Sequence, residues 1–267
     1  MRIALIVEYD GTRYHGFQYQ KNASSIQEEL EKSIYKLEKK VIRIKGSGRT
    51  DAGVHSLGQV VSFDTDSEYS PEIFLKALNH YLPEDISIKE SHIVRDDFDP
   101  RKDAKSRLYR YVIQRSRVRS PFLKNKVFRI EDDLDIAIMN EGASLFLGRH
   151  DFTRFTTPGA LLEANPVREI MRSEIIENKD FINYVIEGNA FLMHQVRRMT
   201  GALVDLGRHI MTLEDLIGMI EDSNKVIANS LPSYGLYLDK VYYDDMFSND
   251  IATDDLKVVV TTFDKGI

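Results

Sequence analysis

One order of elements occurs twice along these 267 residues, and it restricts the fold more than any composition figure does. Ile3 to Tyr9 is a short apolar run rich in branched residues and closed by Asp10-Gly11, which predicts a buried strand ending in a turn. Ser25 and Glu28 form a capping-box pair ahead of Ile26, Leu30, Ile34 and Leu37, whose spacing lays one apolar stripe along a helix ending near Lys40. Val41 to Lys45 alternates as a strand, Gly46 to Ser56 is a glycine-rich loop, and Leu57 to Phe63 reads as the next strand. Pro71 suits the first turn of a helix over 72–81, and Ile86 to Val94 alternates again before a polar link at Asp99-Pro100.

The second run repeats the order. Arg107 to Gln114 reads as a strand, Asp133 to Leu147 as a helix ended by Gly148, and Arg168 to Ile176 with Phe181 to Glu187 as a strand pair turning at Asn178-Lys179-Asp180. Helical spacing follows at Leu192, Val196, Met199, Leu203 and Leu206, then a short helix from Leu213 to about Asp222 capped by Thr212, then a strand over 235–243. Strand, helix, strands, helix, strand is the order of a ferredoxin-like unit, in which helices cover an antiparallel sheet. The expected class is therefore α/β (α+β): two ferredoxin-like halves joined through a mostly antiparallel sheet around a central cleft. The halves are 1–104, with the glycine-rich loop, and 105–245, followed by an acidic tail at 246–267.

Composition removes several function classes. With 42% hydrophobic and 29% charged residues, the chain can bury a substantial core. There is no cysteine, which excludes disulfides, thiolate metal sites and a cysteine nucleophile. No apolar run approaches the roughly 20 residues of a membrane span, and the first run turns acidic at Glu8, so a cytoplasmic location is expected. The net charge of −6 hides an asymmetry: residues 101–129 hold eleven Lys and Arg against the single acid Asp103, a local +10 that leaves −16 elsewhere. Interleaved with Tyr109, Tyr111, Phe122 and Phe128, this segment suits a looped or single-stranded nucleic acid; otherwise it is a solvated face.

The segment richest in chemistry is Gly46-Ser47-Gly48-Arg49-Thr50-Asp51-Ala52-Gly53-Val54-His55. Three glycines permit an irregular backbone that presents the polar side chains between them. An Asx-type turn, with Asp51 bonding nearby amides, explains the composition equally well. No Walker ending and no GxGxxG helix start support a nucleotide loop, and no Gly-x-Ser-x-Gly elbow supports a serine triad. Asp51 and His55 stand four apart, with His150-Asp151 and His194 elsewhere, but no HExxH or paired-histidine spacing marks a metal site. Asp51 with Arg49 beside it is left as the most suggestive small constellation, because a lone carboxylate can be nucleophile or base.

Ser47 to His55 closely resembles the catalytic loop of the TruA family of tRNA pseudouridine synthases. The resemblance extends in order through Tyr9-Asp10-Gly11, Gly16 to Gln20, Gly58 to Phe63, Leu82 to Ile86, Asp97 to Arg101, Arg107 to Tyr111, Asp151-Phe152-Thr153, Asn189 to Arg197 and Gly235 to Leu238. Phe17 departs from the tryptophan that many relatives carry. The resemblance implies that Asp51 is the catalytic carboxylate acting on a flipped uridine, whose base detaches, rotates and rejoins through carbon. It implies that Tyr109 stacks on the target base, that Arg197 pairs with the carboxylate, and that Arg49 helps displace the base or fills its place. Uridines at tRNA positions 38–40, on the 3′ side of the anticodon stem-loop, are the implied target, with a homodimeric enzyme and no cofactor or metal. Two rivals come from other classes: a catalytically silent RNA-binding protein on the same scaffold, and a metal-dependent hydrolase using Asp51, His55 and His150.

Overall fold

The computed structural model describes residues 1–157, 165–221 and 227–244. The first run comprises β1 (Arg2–Tyr9), α1 (Ile26–Glu38), β2 (Lys45–Gly46), β3 (His55–Asp64), α2 (Pro71–Tyr81) and β4 (Ile86–Val94). The second comprises β5 (Ser106–Arg115), β6 (Phe128–Ile130), α3 (Ile136–Ser144), β7 (Gly148–Asp151), β8 (Val167–Asn178), β9 (Phe181–Gly188), α4 (Gln195–Gly207), α5 (Leu213–Ile220) and β10 (Leu236–Tyr242). All ten strands belong to one sheet, in the order β4-β1-β3-β10-β5-β9-β8-β7, with β2 on β3 and β6 on β5. Each run thus sets its last, first and third main strands side by side with the second at the flank, as a ferredoxin-like unit does. The expected α/β class with a mostly antiparallel sheet is what the chain adopts. No helix among the described residues is long and apolar enough to cross a membrane.

The sheet's two sectors are cored separately. Ile3, Leu5 and Val7 alternate onto one face of β1 and meet Leu30 and Ile34 of α1 and Phe74 and Leu78 of α2. In the second sector Tyr111, Ile113, Tyr184 and Ile186 back onto Met139, Met199, Leu203 and Leu206. Each such buried side chain contributes roughly 1.5–3 kcal/mol. The sectors join where β10 runs parallel to the start of β3, pairing Tyr237 with His55 and Leu238 with Ser56. That joint brings the loop before His55 against the second sector.

Several boundaries differ from the sequence reading. Residues 41–44 form no strand, because Glu31 of α1 accepts the Ile44 N–H at 3.2 Å and pairs with Arg43, which takes the segment's bonding away from a ladder. β6 and β7 are too short for periodicity to reveal. α3 starts three residues later than expected, because Asp135 caps it by accepting from the N–H groups of Ala137 and Ile138. α4 begins at Gln195 instead of Leu192, because His194 takes the left-handed conformation (φ 62°) that no α-helix continues. The far end of the predicted 213–222 helix and the 246–267 tail fall outside the described residues.

Candidate active site

The loop between β2 and β3 is held almost entirely by its neighbours from the first sector. Phe17 donates its N–H to Thr50 O (3.1 Å), Gly53 donates to Tyr14 O (3.2 Å), Ser47 donates to Val60 O (2.8 Å) and Gln59 Nε2 donates to Gly48 O (3.1 Å). The Tyr9 hydroxyl shares a 2.9 Å hydrogen bond with that of Thr50. Gly16 (φ 100°) is required here, since a Cβ would sit 2.7 Å from Thr50 O; Gly53 (φ 78°) closes the turn behind Asp51. Phe17 packs its ring tip closely against Gly46, so the position that departs from the family pattern supports the loop.

Within this frame Ser47, Thr50 and Val54 are buried, while the Asp51 side chain keeps 32% of its surface exposed. Among the described residues no backbone amide binds its carboxylate, so the Asx-turn alternative does not describe this loop. Arg197 of α4 donates Nη1 to Asp51 Oδ2 at 3.2 Å and Nε to Leu231 O at 2.7 Å. One guanidinium therefore ties the carboxylate to the strap that leads into β10. The charge-assisted hydrogen bond fixes the direction of the carboxylate.

Tyr109 stands on the β5 face that turns toward the loop, edge-on to Phe191 (ring centroids 5.2 Å, 83°). Burial pushes its phenol well above the ordinary tyrosine range, with Asp51 among the charges that add to the shift, so it stays protonated at neutral pH. Tyr111 shares the face but is consumed in the core, donating its hydroxyl to Pro232 O at 2.7 Å. Arg107 donates through its terminal nitrogens to the carbonyls of Ser47, Arg101, Ala104 and Asn189. It is a clamp on the loop. Arg49 is exposed, lines the cleft and makes no ion pair with Asp51.

The basic segment divides in a way that charge counting could not show. Arg110 is buried against Asp239, Lys126 pairs with Asp10, Arg115 with Glu177 and Arg129 with Glu131. Arg101 and Arg107 line the cleft, joined there by Lys45, Arg49 and Arg168 from other elements. The cleft holds about 940 Å³, and Asp51, Tyr109, His194 and Gln195 also line it. This lies at the upper end of the roughly 300–1,000 Å³ of small-molecule sites, enough for a nucleoside with its flanking phosphates.

The histidines sort differently from the metal reading. His55 is buried at the β3–β10 joint, stacked on Tyr237 at 4.7 Å; Gly11 donates its N–H to Nδ1 (3.1 Å), and Nε2 meets Asn125 O and Tyr234 O. His150 lies on β7, at the far edge of the sheet, with Nε2 on Leu147 O at 2.7 Å. Asp51, His55 and His150 do not converge, and among the described residues no group of three or more His, Cys, Asp or Glu is arranged around a common point for a metal ion. His194, singled out by no motif of its own, is the histidine that reaches the carboxylate: its Nε2 lies 3.4 Å from Asp51 Oδ2. The signal available in the sequence was its i, i+3 relation to Arg197.

A loop carboxylate anchored by a helix arginine, beside an aromatic face in a cleft lined with cations, defines a protein that acts on one unit of a polyanion. Sequence comparison supplies the family. A model of the tRNA pseudouridine synthase family matches residues 5–101 and 143–244. The tRNA pseudouridine synthase A of Acetivibrio thermocellus is 39% identical over 242 residues, covering 90% of this chain and 99% of the relative. That of Ruminiclostridium cellulolyticum is 38% identical over 244 residues (91% and 99%), and that of Pseudoalteromonas atlantica 39% over 250 (93% and 94%). The chain belongs to the tRNA pseudouridine synthase family.

Proposed function

We propose that Asp51 is the carboxylate through which this chain isomerises uridine to pseudouridine in tRNA, at positions 38–40 of the anticodon stem-loop. The chain is a tRNA pseudouridine synthase, an isomerase. The reaction balances within the substrate: the N1–C1′ bond breaks, a C5–C1′ bond forms, C5 gives up a proton and N1 gains one. No oxidant or reductant enters. The group needed is an ionised carboxylate that can attack the nucleoside or take a proton, and the observation that carries the reading is Asp51, partly exposed in the cleft with Arg197 on Oδ2.

The target base has to leave its stack before it can rotate, at a cost of a few kcal/mol. Tyr109 offers a ring face beside the carboxylate, and Arg49, which makes no ion pair among the described residues, has a planar guanidinium suited to the gap the base leaves. Lys45, Arg101 and Arg168 are placed to meet flanking phosphates. A homodimer sharing one tRNA, a cytoplasmic location and a division into halves at 104/105 complete the proposal; they rest on family resemblance and element order. The test is tritium release from tRNA labelled at uridine C5, without added metal. Wild type should release tritium and Asp51→Ala should not, although it still binds tRNA; equal release by the two would overturn Asp51 as the acting group.

A further inference from the structure

We propose that His194 is a positioning residue for Asp51: together with Arg197 it gathers the Oδ2 atom of the carboxylate and leaves Oδ1 to face the substrate. The inference rests on the reading of Asp51 given above. His194 Nε2 lies 3.4 Å from Oδ2 and Arg197 Nη1 lies 3.2 Å from the same atom, while Oδ1 meets no partner among the described residues. The other side of the imidazole is anchored as well, because Nδ1 is 2.7 Å from the Thr157 hydroxyl. Where Nδ1 accepts the Thr157 proton, the imidazole carries its hydrogen on Nε2, the nitrogen that lies toward Asp51 Oδ2.

The backbone supports the same assignment. His194 is a non-glycine residue in the left-handed region at the N-cap of α4, and its side chain caps nothing there. Such a conformation persists only where its surroundings enforce it, and here Thr157 holds Nδ1 while Nε2 faces Asp51. The charged groups facing the ring are Asp51 from the loop and Arg197 and Arg198 from α4. Burial, aided by the two arginines, outweighs the pull of Asp51 and holds the imidazole below its ordinary range, so it is neutral at pH 7. A neutral donor orients the carboxylate without placing a second full cation on it, which would weaken it as nucleophile or base. Protonation at lower pH adds that cation, so an acid limb belonging to His194 should lie below pH 6.5.

The experiment measures single-turnover tritium release and tRNA affinity for wild type, His194→Ala, His194→Gln, Thr157→Val and Asp51→Ala across pH 5–8. His194→Ala should lose about 10- to 100-fold in rate with little change in affinity, as expected for a misplaced reacting group. His194→Gln, whose amide can still donate toward Oδ2, should recover most of that rate and lack the acid limb; Thr157→Val should fall between the two. An His194→Ala rate within about twofold of wild type, with Asp51→Ala inactive and the variants folded, overturns the proposal and leaves Asp51 standing. A loss that glutamine does not rescue, with the acid limb unchanged, also overturns it by making the role purely structural. An active Asp51→Ala would instead remove the reading underneath.

Discussion

The two sectors share a strand order and differ most at one equivalent connection. Between the second and third main strands of the first sector, β2 and β3, eight residues intervene; between β8 and β9 of the second there are only two, Lys179 and Asp180. β8 is twelve residues long and pairs with β9 down to Asn178 and Phe181, so the chain reverses at once, with Lys179 in the left-handed region (φ 51°). β2 is only two residues long, pairing Lys45 and Gly46 with Ser62 and Val61, so the rest of that edge of β3 is left to β10 and the freed chain becomes the Asp51 loop. Shortening one edge strand thus opens both the joint between the sectors and the site beside it. The division of labour follows: the first sector lends the carboxylate, and α4 of the second holds it.

Next to loss of Asp51 itself, the largest expected effect is at Arg197, where the sectors meet. Arg197→Ala should lower the tritium-release rate by about 10²–10³-fold, the scale of removing one preorganised charged donor, while tRNA affinity changes little. A comparable loss in affinity instead would move Arg197 from the carboxylate to the RNA and break the division just drawn. Tyr109 comes second. Tyr109→Ala should weaken productive binding by about five- to 150-fold, corresponding to the roughly 1–3 kcal/mol of one base stacked on an aromatic ring, and Tyr109→Phe should keep most activity because the ring is the working part. Equal losses in the two variants would assign the role to the hydroxyl.

The smallest effect concerns stability at the turn that supports the loop. Burial raises the pKa of Asp10, but its contacts with His55, Lys126 and Thr12 outweigh it and hold the carboxyl far below the usual range. A depressed native pKa gives stability that is present above the unfolded value of about 3.9 and is lost as pH falls below it. Melting curves should therefore show wild type above Asp10→Asn by a constant margin from pH 7 to about 5, shrinking below about pH 4. A margin that grows on acidification would contradict the assignment.

The loop was legible in the sequence from its glycines interleaved with polar residues, while the role of its carboxylate came through the family resemblance. The element order was legible too, since β1, α1, α2, β4 and β5 carry clean periodicities and turn residues at their ends. What stayed hidden depends on residues distant in the chain. Arg197 is 146 residues from Asp51, and only family resemblance linked them. His194 was masked because Leu192, Val196 and Met199 keep helical spacing straight through a residue whose backbone leaves the helix. The basic run from 101 to 129 suggested one surface, whereas among the described residues five of its cations are taken up by acids at positions 10, 131, 177, 239 and 244. The strand expected at 41–45 failed for a similar reason, a single glutamate from α1.

The most direct measurement sets the two equivalent connections against each other. Asp51→Asn and Asp180→Asn each remove one carboxylate charge at nearly constant volume, one from the long loop and one from the tight turn. Single-turnover tritium release at saturating enzyme should fall on the order of 10⁴-fold or more for Asp51→Asn, with tRNA binding retained, and stay within about twofold of wild type for Asp180→Asn. An Asp51→Asn enzyme within about tenfold of wild type would contradict the account, because the loop would then not be where the chemistry is done.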